Sequence, residues 1–166
     1  MTSQAMTTKA NPLTRVLFAT EGTGAPLILR LALALVMFPH GAQKLFGWFG
    51  GYGWDGTMGF LTGTVGLPAP IAAATILLEA LGPILLVLGF LTRPVALGFA
   101  GVMVGAVATV HLQHGFFMNW SGAQGGEGFE YHLLMIGGAL ALAFAGGGRW
   151  SLDQRLFGAR EQQVAV

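Results

Sequence analysis

Glu79 is the first residue whose position raises a question of chemistry. It stands about 11 residues into the second of the apolar stretches, within "LPAPIAAATILLEALGPILLVLGFL", or about 16 Å along a helix. An ionisable side chain at that depth is costly, and intramembrane carboxylates mark proton relays, ion paths and counter-ion sites. Pro83 has no N–H to donate to the carbonyl of residue 79, so a carboxyl group and a freed carbonyl share one turn. Ala72, Thr75, Gly82 and Pro83 fall on or near the same face, which is narrow enough for close helix packing. A structural role, in which Glu79 glues helices together through an Arg or Lys, stands beside the functional one. Either way Glu79 is expected to be buried between helices and to be bonded to a polar partner or neutral at pH 7.

A second set of polar residues lies at the ends of apolar runs. His40 and Lys44 are four apart and share one helix face. His111 and His114 are three apart near the end of the third run, and Glu130 and His132 open the fourth. If the runs are antiparallel helices, these residues meet at one level, and His40 and Lys44 are expected to face inward toward His111. Histidines can donate to a ligand oxygen and exchange protons near neutral pH. Each residue also has a plainer reading. Lys44 can snorkel to the surface, His114 can be a loop residue, and His111 can hydrogen-bond a neighbouring helix. Glu130 and His132 are about 200° apart on a helix, so at least one belongs to the rim. No metal-ligand set is specified. Histidines on adjacent helices can hold a haem, but nothing in this spacing demands one.

The elements that must position these residues are apolar. Of the 166 residues 54% are hydrophobic and 9% charged, against about 25% charged in an ordinary soluble domain. Lipid is therefore the expected solvent and partner for most of the chain, and no nucleic-acid partner is expected. Apolar segments at about 27–47, 69–91, 94–113 and 129–148 are each near the roughly 20 residues that span a bilayer. The expected fold is all-α, an integral membrane four-helix bundle. The second and third segments are joined only by "LTRP" and must form a tight hairpin, with Thr92, Arg93 and Pro94 breaking the helix. Lys9, Arg15, Arg30, Arg93, Arg149, Arg155 and Arg160 lie on the side of that turn and the termini; of the 8 Lys and Arg, Lys44 alone lies on the other. The positive-inside rule then places both termini in the cytoplasm, in the inner membrane of a bacterium. Residues 1–25 are polar and broken and lack the core of a secretory signal, so the first span is expected to act as its own insertion signal. The expected divisions are a polar N-terminal segment 1–25, a transmembrane domain 26–150 and a short cytoplasmic tail 151–166.

The loops at about 48–68 and 114–128 are rich in glycine and aromatic residues. Trp48, Phe49, Tyr52 and Trp54 follow the first span, at the level amphipathic rings favour. Gly101 and Gly105 have the spacing of a close helix contact, a weak signal in a chain with 27 glycines. With 0 cysteines, thiolate sites, disulfides and thiol nucleophiles are excluded within this chain.

In order along the sequence come "HGAQKLFGWFGGYG", "LEALGPILLVLGFLTR", "HLQHGFF", "EYHLL" and "GGGRWSLD". Together they resemble the DoxX family of small bacterial membrane proteins, over about residues 30–153. The resemblance implies a four-helix inner-membrane protein. It also implies a kinship with the membrane subunit of a thiosulfate:quinone oxidoreductase, and with a mycobacterial member of a membrane-associated oxidoreductase complex linked to oxidative stress. It picks out His40, Lys44, Glu79, Arg93, His111, Glu130, Arg149 and Asp153 without assigning them reactions. Arg93, Arg149 and Asp153 are expected to be structural or surface residues.

Two functions fit these observations. In the first, the chain is a membrane subunit of a redox system, holding a quinone or a redox partner protein near the polar cluster. It encodes no electron carrier, so a partner or bound cofactor must supply one. In the second, it is a non-catalytic scaffold or assembly factor whose loops recognise another protein. Transport is a weaker third, since four helices are few unless the protein forms a homo-oligomer.

Overall fold

The computed structural model describes residues 12–20 and 22–158. Lys9, Arg160 and the side chain of Arg15, all used in the charge asymmetry, lie outside what is described. The described residues are all helical, with no strand among them. In chain order the α-helices are α1 (Pro12–Phe18), α2 (Ala25–Phe46), α3 (Gly53–Gly59), α4 (Ala69–Leu88), α5 (Thr92–Ala106) and α6 (Glu130–Ala145). The last helical turns of α5 widen over Val107–His111 and tighten over Leu112–His114, so this rod runs to His114. By length and composition α2, α4 and the rod Thr92–His114 are long and apolar enough to cross a membrane. The fourth segment is shorter than expected: α6 has 16 residues, or about 24 Å against a hydrocarbon core of about 30 Å.

α2 packs along α4, α5 along α6, and α2 also touches α6. The apolar core joins Leu33, Ala34 and Met37 of α2, Leu86 of α4, Phe99 and Met103 of α5, and Met135, Ala139 and Leu142 of α6. The opposite faces are apolar too. Leu35 is 77% exposed and Phe144 79%. Exposed side chains of that kind along helices this long suit a hydrocarbon solvent rather than water.

The α2–α4 crossing is set by Gly41. A Cβ there would lie 2.1 Å from the backbone oxygen of Glu79. That is the carbonyl that Pro83 leaves without its helical donor, so the two backbones meet where one has lost a hydrogen bond and the other has no side chain. Gly101 and Gly105 behave differently from the expectation: a Cβ at either would meet open space. The helix contact suggested by their spacing is absent, because α5 approaches α4 lower down, where Gly98 lies against Leu78 and Gly82 against Phe99.

One end of the bundle carries the α4–α5 turn. Thr92, Arg93 and Pro94 do not break a helix here. They open α5, and the break falls at Gly89 and Leu91, both with positive φ (66° and 53°). A left-handed leucine is strained by about 1–2 kcal/mol. Asp153 holds it: its two carboxylate oxygens accept from Leu91 N and Thr92 N, each at 2.9 Å. Arg30, fully buried, donates to Leu86 O at 3.2 Å and to Trp150 O at 2.9 Å. The chain on either side of the bundle also belongs to this end. Residues 12–18 of the expected polar, broken segment form α1, whose Phe18 ring stacks on Phe157 with centroids 3.9 Å apart. Likewise 151–158 is not a separate tail, for Ser151 and Asp153 are both buried.

The opposite end carries the two aromatic loops. The first is not a plain loop: after the turn Trp48–Gly50 it forms α3 and a wide turn, Phe60–Thr64. Gly47, with φ 74°, ends α2 and returns its N–H to Ala42 O and Gln43 O. The second loop is closed at its base by Phe129 N to Gly115 O (3.2 Å) and Glu130 N to Phe116 O (2.8 Å). Trp48, Phe49, Tyr52, Phe117 and Trp120 are exposed around this end, where a membrane interface would receive them.

Candidate functional site

Between α2, α4, α5 and α6, near the loop end, lies a cavity of about 750 Å³. Most of its wall is apolar, supplied by residues such as Val36, Met37, Leu61, Ile71, Val102 and Met103. Its polar side chains come from all four helices. His40 and Lys44 extend from α2, Thr75 and Glu79 from α4, Thr109 and His111 from the α5 rod, and Tyr131 and His132 from α6.

Lys44 Nζ donates to Glu79 Oε2 at 2.6 Å. The carboxylate side chain is only 4% exposed and the lysine 27%, so the pair spans from packed protein to open cavity. Glu79 is thus buried and bonded to a polar partner, as expected, and Lys44 turns inward. Such a charge-assisted bond in an apolar wall is strong, and neither ion is stable there without the other.

Across the cavity the rings of His111 and His132 lie 4.1 Å apart. His111 Nδ1 contacts the carbonyl oxygen of Glu127 at 2.9 Å. A carbonyl only accepts, so Nδ1 carries the proton of this bond, and in a neutral ring Nε2 keeps its lone pair. The widened turn Val107–His111 sets the direction of His111, and Thr109 Oγ1 donates to Gly105 O at 2.8 Å beside it. Such one-residue widenings of helices recur at functional sites. His132 is buried, and among the described residues its Nδ1 has no hydrogen-bond partner; neither has the hydroxyl of Tyr131. Orphaned polar atoms of this kind need a reason, since each costs about 1–3 kcal/mol.

His40, Lys44, Glu79, His111 and His132 are therefore brought to one cavity. Glu130 is not. It sits on the rim, where Oε1 accepts from Met118 N at 3.2 Å and pins the second loop, while Glu127 Oε2 accepts from Asn119 N at 2.7 Å. The 200° between Glu130 and His132 is resolved with His132 inside. His114 also turns away, against Gly126 in the loop. Arg93 donates to Phe144 O at 2.9 Å and Arg149 lies 5.7 Å over the Trp150 ring, both at the far end with Asp153. Among the described residues no group of three or more His, Cys, Asp and Glu is arranged to hold a metal ion.

Sequence reasoning missed Tyr131 and the Glu127 carbonyl. Tyr131 had a signal, being polar and next to His132 at the start of an apolar run. A backbone carbonyl in a loop has none. Arg30 was read only as a topology charge, although a guanidinium early in an apolar helix already asks for buried partners.

A family model for DoxX matches residues 25–112. "Putative oxidoreductase CatD" of Bacillus subtilis (strain 168) is 32% identical over 131 residues, covering 79% of this chain and 86% of that protein. "Inner membrane protein YphA" of Escherichia coli (strain K12) is 34% identical over 134 residues, covering 78% and 88%. "Uncharacterized membrane protein Rv3486" of Mycobacterium tuberculosis (strain ATCC 25618 / H37Rv) is 31% identical over 159 residues, covering 92% and 93%. No solved structure matches. The matched stretch runs from the first residue of α2 to the turn that carries His111, and so holds His40, Lys44, Glu79 and His111 together: this chain is a membrane protein of the DoxX family.

Proposed function

We propose that this protein is the membrane subunit of a redox system and that its cavity binds the head of a quinone. The observation that carries the reading is the division of the cavity wall. It is apolar over most of its area, with an ammonium–carboxylate pair on one side and paired imidazoles on the other. A volume of about 750 Å³ is that of a small-molecule site, where a few polar groups orient an apolar ligand. The quinone ring fits the apolar walls, and its oxygens take hydrogen bonds from Lys44 and the histidines. His40, His111 and His132 exchange the protons that accompany quinone chemistry. Electrons come from a partner protein, because this chain has no redox-active side-chain set. The name of the Bacillus relative supports an oxidoreductase role. The protein lies in a bacterial inner membrane with its termini and the α4–α5 turn in the cytoplasm, in line with the basic residues at that end.

The test is to purify the protein in lipid nanodiscs, extract it for bound quinones, and titrate it with ubiquinone and menaquinone analogues. Saturable binding is expected, weakened tenfold or more by combined His40→Ala and His111→Ala. A well-folded bundle with lipid only and no saturable binding would overturn the reading and leave the scaffold role.

A further inference from the structure

The wall of the cavity is incomplete on one side. Gly101 and Gly105 of α5 line it, are themselves exposed, and have open space where a Cβ would stand. Ile71 of α4, further toward the loop end, lines the same cavity and is 54% exposed. Nearer the turn the two helices close up, with Gly98 against Leu78 and Gly82 against Phe99. α4 and α5 therefore converge at one end and part above it. Gly101 and Gly105 are 9 and 13 residues beyond Thr92, or about 14 and 20 Å along the helix. In a bilayer core of about 30 Å these levels are its middle and its far half. At that depth an exposed residue of a spanning helix meets acyl chains, not water.

We propose that this gap is a lateral portal through which a tailed, lipid-soluble quinone enters the cavity from the bilayer, leaving its isoprenoid tail in the slot between α4 and α5. The inference deepens the function proposed above and rests on it. The two parts of the ligand are matched to two parts of the wall. The slot, floored by glycine, offers mostly apolar contact, and the Thr75 and Thr109 hydroxyls that also line the cavity already donate to Ile71 O and Gly105 O, which suits a hydrocarbon tail. The polar groups lie further in. There the Lys44–Glu79 pair stands on one side of the cavity and His132 on the other, only 7% exposed and with an Nδ1 that has no partner among the described residues. A head group with oxygen acceptors belongs at that end. A ligand from water would have to pass the first loop's wide turn, whose Phe60 and Leu61 also line the cavity.

The two glycines suit the test, because a Cβ at either meets nothing within 4 Å, so a larger side chain there starts from open space. Gly101→Leu and Gly105→Leu are compared with the unmodified protein in nanodiscs, against a long-tailed ubiquinone and its tailless dimethoxy-methyl-benzoquinone head. The unmodified protein is expected to bind both, the tailed form more tightly. The variants should lose tenfold or more for the tailed form and less than twofold for the head alone. Equal loss of both ligands, or loss of neither, overturns the portal while leaving the quinone site standing. Failure of the unmodified protein to bind either ligand overturns the quinone site and the portal with it.

Discussion

Removal of Lys44 should destabilise the bundle more than removal of the charge it faces, and the two changes together should cost less than their sum. Glu79 is 4% exposed and its Oε2 lies 2.6 Å from Lys44 Nζ. Lys44→Met keeps the length and apolar stem of the side chain but leaves a carboxylate in an apolar wall without its counter-charge. Breaking a fully buried pair in this way costs about 3–5 kcal/mol. Lys44 is 27% exposed to the cavity, so screening lowers the expected loss to about 2–3 kcal/mol. Glu79→Gln keeps the shape and an oxygen that still accepts from Lys44, and should cost about 1–2 kcal/mol. In the double variant no unpaired charge remains in the wall. It should be less destabilised than the sum of the singles, with a coupling of about 1–2 kcal/mol. The assay is a double-mutant cycle on reversible unfolding in mixed detergent micelles, followed by circular dichroism. Additivity within about 0.5 kcal/mol would refute the reasoning, since contacting partners must couple and independent sites do not. The same Gln variant bears on function. If Glu79 exchanges protons with a bound ligand, Glu79→Gln should fold and lose activity; full activity in that variant would confine Glu79 to a structural role.

Gly41→Ala should lose about 3 kcal/mol or prevent assembly, because its Cβ would lie 2.1 Å from Glu79 O, whereas Gly101→Ala should be neutral by the same unfolding assay. Asp153→Ala orphans Leu91 N and Thr92 N, at about 1–3 kcal/mol for each buried donor, and should leave ligand binding at the far end unchanged once the protein is folded. His111→Ala should weaken quinone binding by threefold or more without changing the unfolding midpoint greatly, since one side of the ring already faces the cavity; unchanged affinity would remove this residue from the site. A reporter active only in the periplasm should stay silent when fused after residue 166 and work when inserted in the second loop; the reverse pattern would invert the topology.

The fold was legible because membrane helices are written in composition. Apolar runs long enough to span lipid need no tertiary information to be found, and a turn of a few residues forces an antiparallel pair. Even so, 129–148 reads as a full span while α6 stops at Ala145, because Gly146, with φ 76°, turns the chain out of the helix there. α1 was missed because a seven-residue helix has little periodicity to detect, and it stands by the contact of Phe18 with a ring more than a hundred residues away. Gly101 and Gly105 were the opposite case, where a motif was present and the neighbour it implied was not.

By itself the sequence determined which residues were out of place in an apolar chain, and hence the candidates His40, Lys44, Glu79, His111, Glu130 and His132. Helical periodicity fixed the shared face of His40 and Lys44, and the cost of charge in hydrocarbon required that Glu79 have a partner. Only the tertiary structure decided which partner. Lys44 and Glu79 are 35 residues apart, and their meeting depends on how closely α2 can approach α4, which Gly41 and the freed carbonyl of Glu79 set together. The tertiary structure alone also sent His132 inward and Glu130 to the rim, because the two lie about 200° apart on α6 and only the packing of that helix chooses which of them turns in. The volume and the open side of the cavity were decided by the fold alone, since they come from the divergence of two helices and no single residue encodes it.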